Sequence, residues 1–501
     1  MNQQIIVTVN GQLTHAAYGS PISRIISGEM LCGGHGKCGK CKVIARGCLS
    51  EPTDDERSLL SKQELDGGVR LACLTHALGD CEILTVRHEQ KAQIIEAATL
   101  PEFPIKPAFE GYGIAIDIGT TTLAAQLYDT AGNLLGSTSR LNPQQAWGAD
   151  VISRIEAALG GKARELALSV RQAVDDMIAE LASAAGIDAQ QVDGLVITGN
   201  TVMLSLLTEQ STEPFSHAPF EAERLFGETL TSQSLELTQL QKDVPVYLPP
   251  CISAFVGADT ACAILATQLC RGDTAMLADI GTNGEMALWH NGKLIVCSTA
   301  AGPAFEGVGI SMGMRGADGA IDKVHIVNGQ IQAHVIGGGA PVGICGSGLV
   351  DAVACMLDLE IIDAGGYLDD EEFVLLAPVR LTQKDIRMLQ LAKSAICAGL
   401  MTLAESEMIS VADVPVLYVA GGFGNYLSKA CAARIGLLPK ALASRSRAVG
   451  NGALAGAAML LLNRKLRQSA STLAKNATTL ELSTSRVFAD RYMSGMMLEQ
   501  G

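Results

Sequence analysis

Basic residues are scarce in this 501-residue chain, where 37 Lys and Arg stand against 52 Asp and Glu for a formal net charge of −15. Binding to a nucleic-acid backbone calls for clustered Lys and Arg, so no nucleic-acid partner is expected. Long apolar runs are missing as well. The longest, Ala453 to Leu462, falls well short of the roughly 20 residues of a membrane span. The N-terminus, MNQQIIVTVNGQ, lacks the basic start and continuous apolar stretch of a signal peptide. No membrane partner and a cytoplasmic location are therefore expected. Aromatic residues make up only 4% and charged residues 18%, against 48% hydrophobic, a composition that excludes a disordered chain and suits an Ala- and Gly-rich α/β protein. The length suggests two to four domains, each burying its own core. Size thus gives no need for disulfide staples. In a reducing compartment the 14 cysteines are metal ligands where they cluster and small apolar core residues where they scatter.

They cluster in CGGHGKCGKC, Cys32 to Cys41. Gly34 to Lys40 matches a phosphate-binding G-x-x-x-x-G-K, but Cys41 follows where Ser or Thr must ligate Mg²⁺, and no apolar strand leads in. Cys32, Cys38, Cys41 and Cys73 instead follow C-x5-C-x2-C…C, close to the spacing of plant-type 2Fe-2S ferredoxins. The glycines between them let a loop wrap tightly and aim N–H groups at sulfur. A zinc site from Cys38, Cys41, Cys73 and His76 is the alternative, and it leaves Cys32 unused. Three thiolates in one loop favour the cluster. Cys48 and Cys81 are read as structural. Around the loop, residues 4 to 18 alternate about Asn10-Gly11, a hairpin signal. A short helix follows at Pro21 to Ile26, Thr53 caps a helix opening with Asp54, Asp55 and Glu56, and Val69 to Thr75 and Cys81 to Val86 read as strands. Residues 1–88 are thus expected to form a small β-grasp domain. Pro101, Pro104 and Pro107 mark 89–110 as a stiff linker.

Beyond Gly111 the chain repeats itself in outline. YGIAIDIGTTTLAAQLYDTAGNLLGSTS, from Tyr112, returns as AMLADIGTNGEMALWHNGKLIVCSTA, from Ala275. Each copy is a strand ending in Asp-Ile-Gly-Thr, then two more strands across a Gly/Asn turn, which implies two similar lobes. Long helical patterns lie at Ala163 to Ala185, Val256 to Leu269 and Thr382 to Glu407, so 111–501 is expected to be α/β, with lobes at about 111–250 and 251–470 and an extension at 471–501. In each loop a glycine lets the backbone approach a phosphate while N–H groups and hydroxyls donate to its oxygens. Asp117 and Asp279 at the strand ends suit water-mediated Mg²⁺. A third glycine stretch, Ala420 to Asn425, follows the apolar strand Val414 to Val419 and suits a flat base.

The loops Asp117 to Thr122, Asp279 to Glu285 and Ala420 to Asn425 resemble the phosphate-1, phosphate-2 and adenosine motifs of the acetate kinase, sugar kinase, Hsp70 and actin (ASKHA) superfamily, with its duplicated RNase H-like fold. Joined to an N-terminal 2Fe-2S ferredoxin domain, the chain resembles the reductive activators of corrinoid enzymes. ITGNTVM (Ile197 to Met203), STAAGPAFEG (Ser298 to Gly307) and GICGSGLVD (Gly343 to Asp351) are similar to stretches typical of that family. The resemblance implies an ATPase with Mg²⁺ that moves one electron from a 2Fe-2S cluster to a corrinoid stranded as Co(II), restoring Co(I) for methyl transfer. Its partners are then the corrinoid protein of a methyltransferase system and a low-potential electron donor. It implies that Cys32, Cys38, Cys41 and Cys73 hold the cluster. Gly119, Thr120, Thr121, Thr122, Gly281, Thr282 and Asn283 hold phosphate, and Asp117 and Asp279 organise Mg²⁺ and water. Gly421, Gly422 and Gly424 face adenosine, and Glu285 is a further catalytic candidate beside Glu306. A nucleotide-binding redox sensor and a small-molecule kinase with an accessory electron-transfer domain are the alternative functions. Members of the family carry a further domain, associated with dimerisation, between ferredoxin and ATPase parts. Only 89–110 occupies that place here, which leaves monomer and homodimer both open.

Overall fold

A computed structural model describes residues 4–26, 36, 39, 41–85, 100–424 and 426–498. Contacts divide the chain into two units, one of Met1–Gln90 with Pro143–Gly160, the other of Lys91–Asn142 with Gly161–Gly501. Residues 143–160, expected in the first lobe, thus group with the N-terminal residues.

In the first unit Asn10 and Gly11 both take positive φ, 50° and 81°, the turn that matches strand twist. They fold β1 (Gln4–Val9) onto β2 (Gln12–Ala17). With β3 (Lys42–Leu49), β4 (Val69–Leu71) and β5 (His76–Thr85) these make a sheet of order β2-β1-β5-β3-β4, to which Ser20–Pro21 adds on β5. β1 and β5 run parallel at its centre. The expected strand at 69–75 ends at Leu71, because Leu74 and Thr75 N–H groups turn back to the Leu71 carbonyl. Helix α1 (Asp54–Leu59) is capped by Thr53, whose side chain accepts from the Glu56 N–H. Ile5, Val7, Ile22, Val43, Leu71 and Ile83 fill the core.

The second unit holds two six-stranded sheets. In one, β6 (Tyr112–Ile118), β7 (Thr122–Asp129) and β8 (Leu134–Leu141) run antiparallel in succession. β9 (Val192–Gly199) joins β6 in parallel, and β10 (Phe226–Thr231) and β11 (Pro245–Pro250) complete the order β10-β11-β9-β6-β7-β8. In the other, β12 (Thr274–Ile280), β13 (Gly284–His290) and β14 (Lys293–Thr299) are again antiparallel. The chain then makes a small sheet from β15 (Ala320–Val327), β16 (Gln330–Val335) and β17 (Gly343–Ile344). It returns with β18 (Leu417–Ala420) parallel to β12, β19 (Ser446–Gly450) parallel to β18, and β20 (Thr478–Thr479) on the β14 edge. Both sheets thus place two parallel strands beside the first strand of an antiparallel meander.

Helices cover both sheets, which is why strands such as β6 and β9 are nearly continuous apolar runs. α2 (Ala163–Ala185), α3 (Thr201–Leu207), α4 (Ala258–Thr267), α5 (Gly346–Asp358), α6 (Gln383–Ser406) and α7 (Gly452–Leu462) are the main ones. All eleven residues of α7 are buried, the mark of a helix packed on every side. It lies along α4, so closely that a Cβ at Gly456 would stand 2.1 Å from the Cys262 carbonyl oxygen. α6 packs on β13 and β14. By length and composition it is apolar enough to cross a membrane, yet 78% of its apolar window is buried inside the fold.

The described part of the expected linker, 100–110, is docked. Lys106 and Ala108 N–H groups donate to the carbonyls of Leu462 and Leu461, Asn463 Nδ2 donates to the Pro104 carbonyl, and Phe109 is buried where Gly113 and Gly194 leave room for its ring.

Candidate functional site

β6 delivers Asp117 to the turn before β7, and β12 delivers Asp279 to the equivalent turn before β13. Each turn closes on a backbone bond: Gly119 N donates to Thr122 O and Gly281 N to Asn283 O, both at 3.0 Å. A Cβ at Gly119 would sit 2.7 Å from the Thr122 carbonyl oxygen, so only glycine makes the first turn unstrained. The third loop leaves β18 at Gly421, whose φ is +93° and where a Cβ would meet Ile280 O at 2.8 Å and Asp279 Oδ1 at 3.1 Å.

These three loops open on one cavity of about 530 Å³. Asp117, Gly119, Thr120, Thr121, Thr122, Asp279, Gly281, Thr282, Asn283, Glu285, Gly421 and Gly422 all line it. Gly424 does not; it is buried against Val419, where a Cβ would meet Cγ1 at 2.9 Å. Three further lining residues carry chemistry that was not foreseen. Asn200 caps α3 and donates from Nδ2 to Thr120 Oγ1 at 3.1 Å. Asn451 caps α7 and donates from Nδ2 to Asp117 Oδ2 at 2.9 Å. Asp259 stands in the first turn of α4. Glu306, a catalytic candidate from the sequence beside Glu285, also lines the cavity and accepts hydroxyls from Thr121 and Thr282.

Asp117, Asp259, Asp279 and Glu285 crowd one end of the cavity. Burial pushes Asp117 up to about 7, against the Asn451 hydrogen bond and helped by the charges of Asp259 and Asp279. Burial and then Asp259 push Asp279 up to about 7. Asp259 is raised by burial, and Glu285 well raised by burial, then by Asp259 and Asp279. Each keeps an edge open to the cavity while protein surrounds its other sides. Arg315 is the one Arg or Lys among the lining residues. These described carboxylates do not converge to ligate a metal ion directly, so the end suits a cation held through water. Also in the lining, Phe305 stacks on Phe423 with centroids 4.8 Å apart, and Asp322 Oδ1 pairs with His334 Nδ1 at 2.6 Å.

In the first unit Cys41 Sγ and Cys73 Sγ stand 3.2 Å apart, beyond the 2.05 Å of a disulfide. Cys32 and Cys38 lie outside the described residues. His76 is exposed, and among the described residues no group of three or more His, Cys, Asp or Glu is placed to hold a metal ion. The segment bearing Cys73 is pinned by Glu56, which is fully buried. Its Oε1 accepts from Arg70 Nε at 3.0 Å, Leu71 N at 2.7 Å and Thr75 Oγ1 at 3.1 Å, and its Oε2 from Arg70 Nη2 at 3.0 Å.

Residues 273–501 match a family model described as the C-terminal domain of RACo, the ASKHA domain, and 112–272 match the RACo middle region. Corrinoid activation enzyme RamQ of Eubacterium limosum is 36% identical over 417 residues, which span 77% of this chain and 70% of that one. The chain belongs to the RACo family. A second relative, the [Co(II) methylated amine-specific corrinoid protein] reductase of Methanosarcina barkeri, is 27% identical over 417 residues, 76% of each chain. The solved structure of a reductive activator for corrinoid, iron-sulfur protein superposes with a TM-score of 0.73 at 27% identity, covering 99% of this chain and 98% of that one. What was read as the first lobe is the stretch described in RACo as the middle region, and the ASKHA-type α/β domain accounts for the C-terminal part.

Proposed function

We propose that this protein is an ATP-dependent reductive activator that returns the Co(II) of a corrinoid protein to Co(I) for methyl transfer. Membership of the RACo family, whose relatives are named for corrinoid activation and reduction, carries the reading. The cavity supports it chemically: two Asp-Ile-Gly-Thr turns and a glycine loop face a cluster of four carboxylates. The turns offer N–H groups and hydroxyls to phosphate oxygens, and Gly421 and Gly422 leave a backbone surface open to a base. Mg²⁺, when bound, supplies the positive charge that Asp117, Asp259, Asp279 and Glu285 lack. These carboxylates would hold it, and Asn451 fixes the orientation of Asp117. The same order of five strands in both six-stranded sheets, β11-β9-β6-β7-β8 and β19-β18-β12-β13-β14, supports a duplicated RNase H-like domain.

For the N-terminal unit, the parallel pairing of β1 with β5 inside a mixed sheet supports a β-grasp ferredoxin domain at about 1–88. The donor set fits a 2Fe-2S cluster better than zinc. Zinc needs Cys41, Cys73 and His76 to converge, and these three described residues do not form such a group; the cluster needs only Cys41 and Cys73 side by side, joined by Cys32 and Cys38. A plant-type cluster, when bound, supplies electrons near about −400 mV. If the cobalt couple lies one or two hundred millivolts lower, the gap is about 2–5 kcal/mol, within what nucleotide binding to two conformations can offset.

The test mixes the anaerobically purified full chain with Co(II) corrinoid proteins of methyltransferase systems, a low-potential reductant and Mg-ATP, and follows the Co(I) absorption band. Co(I) is expected only with ATP and reductant together. ATP hydrolysis with no Co(I) from any methyltransferase corrinoid protein would sink the proposal.

A further inference from the structure

Thr121 stands one residue beyond the threonine of the first Asp-Ile-Gly-Thr turn and Thr282 is the threonine of the second, and their hydroxyl oxygens stand 3.5 Å apart. Both donate to one carboxylate, Thr121 Oγ1 to Glu306 Oε2 at 2.6 Å and Thr282 Oγ1 to Glu306 Oε1 at 2.8 Å. The backbone fixes that carboxylate too. Glu306 ends the single turn Pro303–Glu306, which starts after Gly302 bonds from its N–H to the Thr282 carbonyl at 3.0 Å. The turn stops at Gly307, where a Cβ would fall 2.6 Å from Met314 N, and Phe305 within it stacks on Phe423 of the third loop. Glu306 is therefore built into the junction of all three loops.

A planar group with two negative oxygens, held by hydroxyls from two equivalent turns, has the charge and shape of one edge of a terminal phosphate. We propose that Glu306 occupies the terminal-phosphate position when no triphosphate is bound and must leave for one to enter, so that this residue sets the preference between ATP and ADP. The inference rests on the nucleotide reading of the cavity. A threonine hydroxyl has one hydrogen and cannot serve Glu306 and a phosphate oxygen at once. Two anions also disfavour each other in one place. ADP lacks the group that claims the position, so the clasp stays shut. ATP opens it, and the Pro303–Glu306 turn moves with Glu306, carrying the difference of one phosphate to Phe305 and Phe423.

Calorimetric titration of the full chain with Mg-ATP and Mg-ADP tests this in the unmodified protein and in Glu306→Gln, which keeps the shape and removes the charge. Freed of a charged competitor for two hydroxyls, the variant is expected to gain at least about tenfold in ATP affinity relative to ADP. An unchanged ratio, or equal weakening for both nucleotides, overturns the inference and leaves Glu306 a mere brace. Absence of binding of either nucleotide to the unmodified protein overturns the nucleotide reading and the inference with it. Glu306→Ala carries the same expected ratio should the glutamine variant not fold. In the unmodified protein, amide exchange at 303–307 is expected to speed up with a non-hydrolysable ATP analogue and not with ADP; equal exchange in both states also counts against the clasp.

Discussion

Replacing Glu56 by glutamine tests how the cysteine segment is held. The carboxylate has no exposed surface, and four hydrogen bonds converge on it, two from the forked Arg70 guanidinium, itself only 7% exposed. Glutamine keeps the volume but turns an amide donor toward one guanidinium N–H and leaves the cation buried without a counter-charge. Breaking a buried pair in this way costs about 3–5 kcal/mol. At 1.4 kcal/mol per tenfold, the opening of this segment becomes roughly 150- to 4,000-fold more frequent. The Leu71 N–H donates directly to Glu56, so its hydrogen exchange in the full chain, read by mass spectrometry on a peptide covering 69–75, reports the loss. Iron retained after gel filtration is expected to fall in step, since Leu71 and Thr75 flank Cys73. The double variant Glu56→Leu with Arg70→Met removes both charges and is expected to recover much of the protection. A change under about fivefold in Glu56→Gln would refute the reasoning, because the network would then cost as much to bury as it returns.

The pH dependence of that network follows from its sign. Burial pushes the Glu56 carboxyl up, but the Arg70 hydrogen bond, the Leu71 N–H, the Arg70 charge and Thr75 together hold it below its ordinary 4.5. Its contribution is present above that value and lost as pH falls through the lowered one, so the protection factor at 69–75, corrected for the intrinsic pH dependence of amide exchange, is expected to fall in acid in the wild type and not in Glu56→Gln. Asp117 and Asp279 behave in the opposite sense. Raised from 3.8 to about 7, they contribute stability to the nucleotide-free protein that is full below about pH 4 and lost as pH rises through 7; urea unfolding at pH 5 and 8 should show this slope flattened in Asp117→Asn and Asp279→Asn. Gly421→Ala is expected to abolish ATP hydrolysis with little change in the cluster spectrum, since its Cβ would strike Ile280 O and Asp279 Oδ1; normal turnover in this variant would show that the loop has room the structure denies. Cys73→Ser should lose iron and His76→Ala should keep it, and the reverse ranking in metal analysis would restore the zinc alternative.

Features written in one short stretch were legible before the structure. Asn10-Gly11 announces its hairpin because both residues tolerate positive φ. The helix expected at Ala163 to Ala185 has those bounds, and those at Val256 to Leu269 and Thr382 to Glu407 are trimmed to Ala258–Thr267 and Gln383–Ser406. The paired Asp-Ile-Gly-Thr turns were found from their repetition, and twelve of the thirteen residues proposed for the nucleotide, all but Gly424, line one cavity. Gly424 shows the limit of composition: in Ala-Gly-Gly-Phe-Gly-Asn the glycines look alike, but Gly421 faces Asp279 while Gly424 packs back on its own strand. The three prolines of 89–110 suggested a spacer, because proline signals stiffness and nothing local signals the bonds that Lys106 and Ala108 make to Leu462 and Leu461, far along the chain.

Residues whose role exists only through distant partners were the ones missed, and the carboxylates show why. Asp279 sits at a strand end before a glycine, so its motif marks it. Asp259 has no motif; it opens α4, where an acidic residue in the first turn is ordinary helix chemistry, and only the return of β11 brings it beside Asp117 and Asp279. Its consequence is still physical: a fourth acid beside three others raises all of them, and a protein that accepts this loss of nucleotide-free stability gains a place where a cation must enter with the phosphates. Glu306 is the same lesson in reverse. Read along the chain it is one acid in a glycine-rich loop, whereas in space it is the acceptor for Thr121 and Thr282 together.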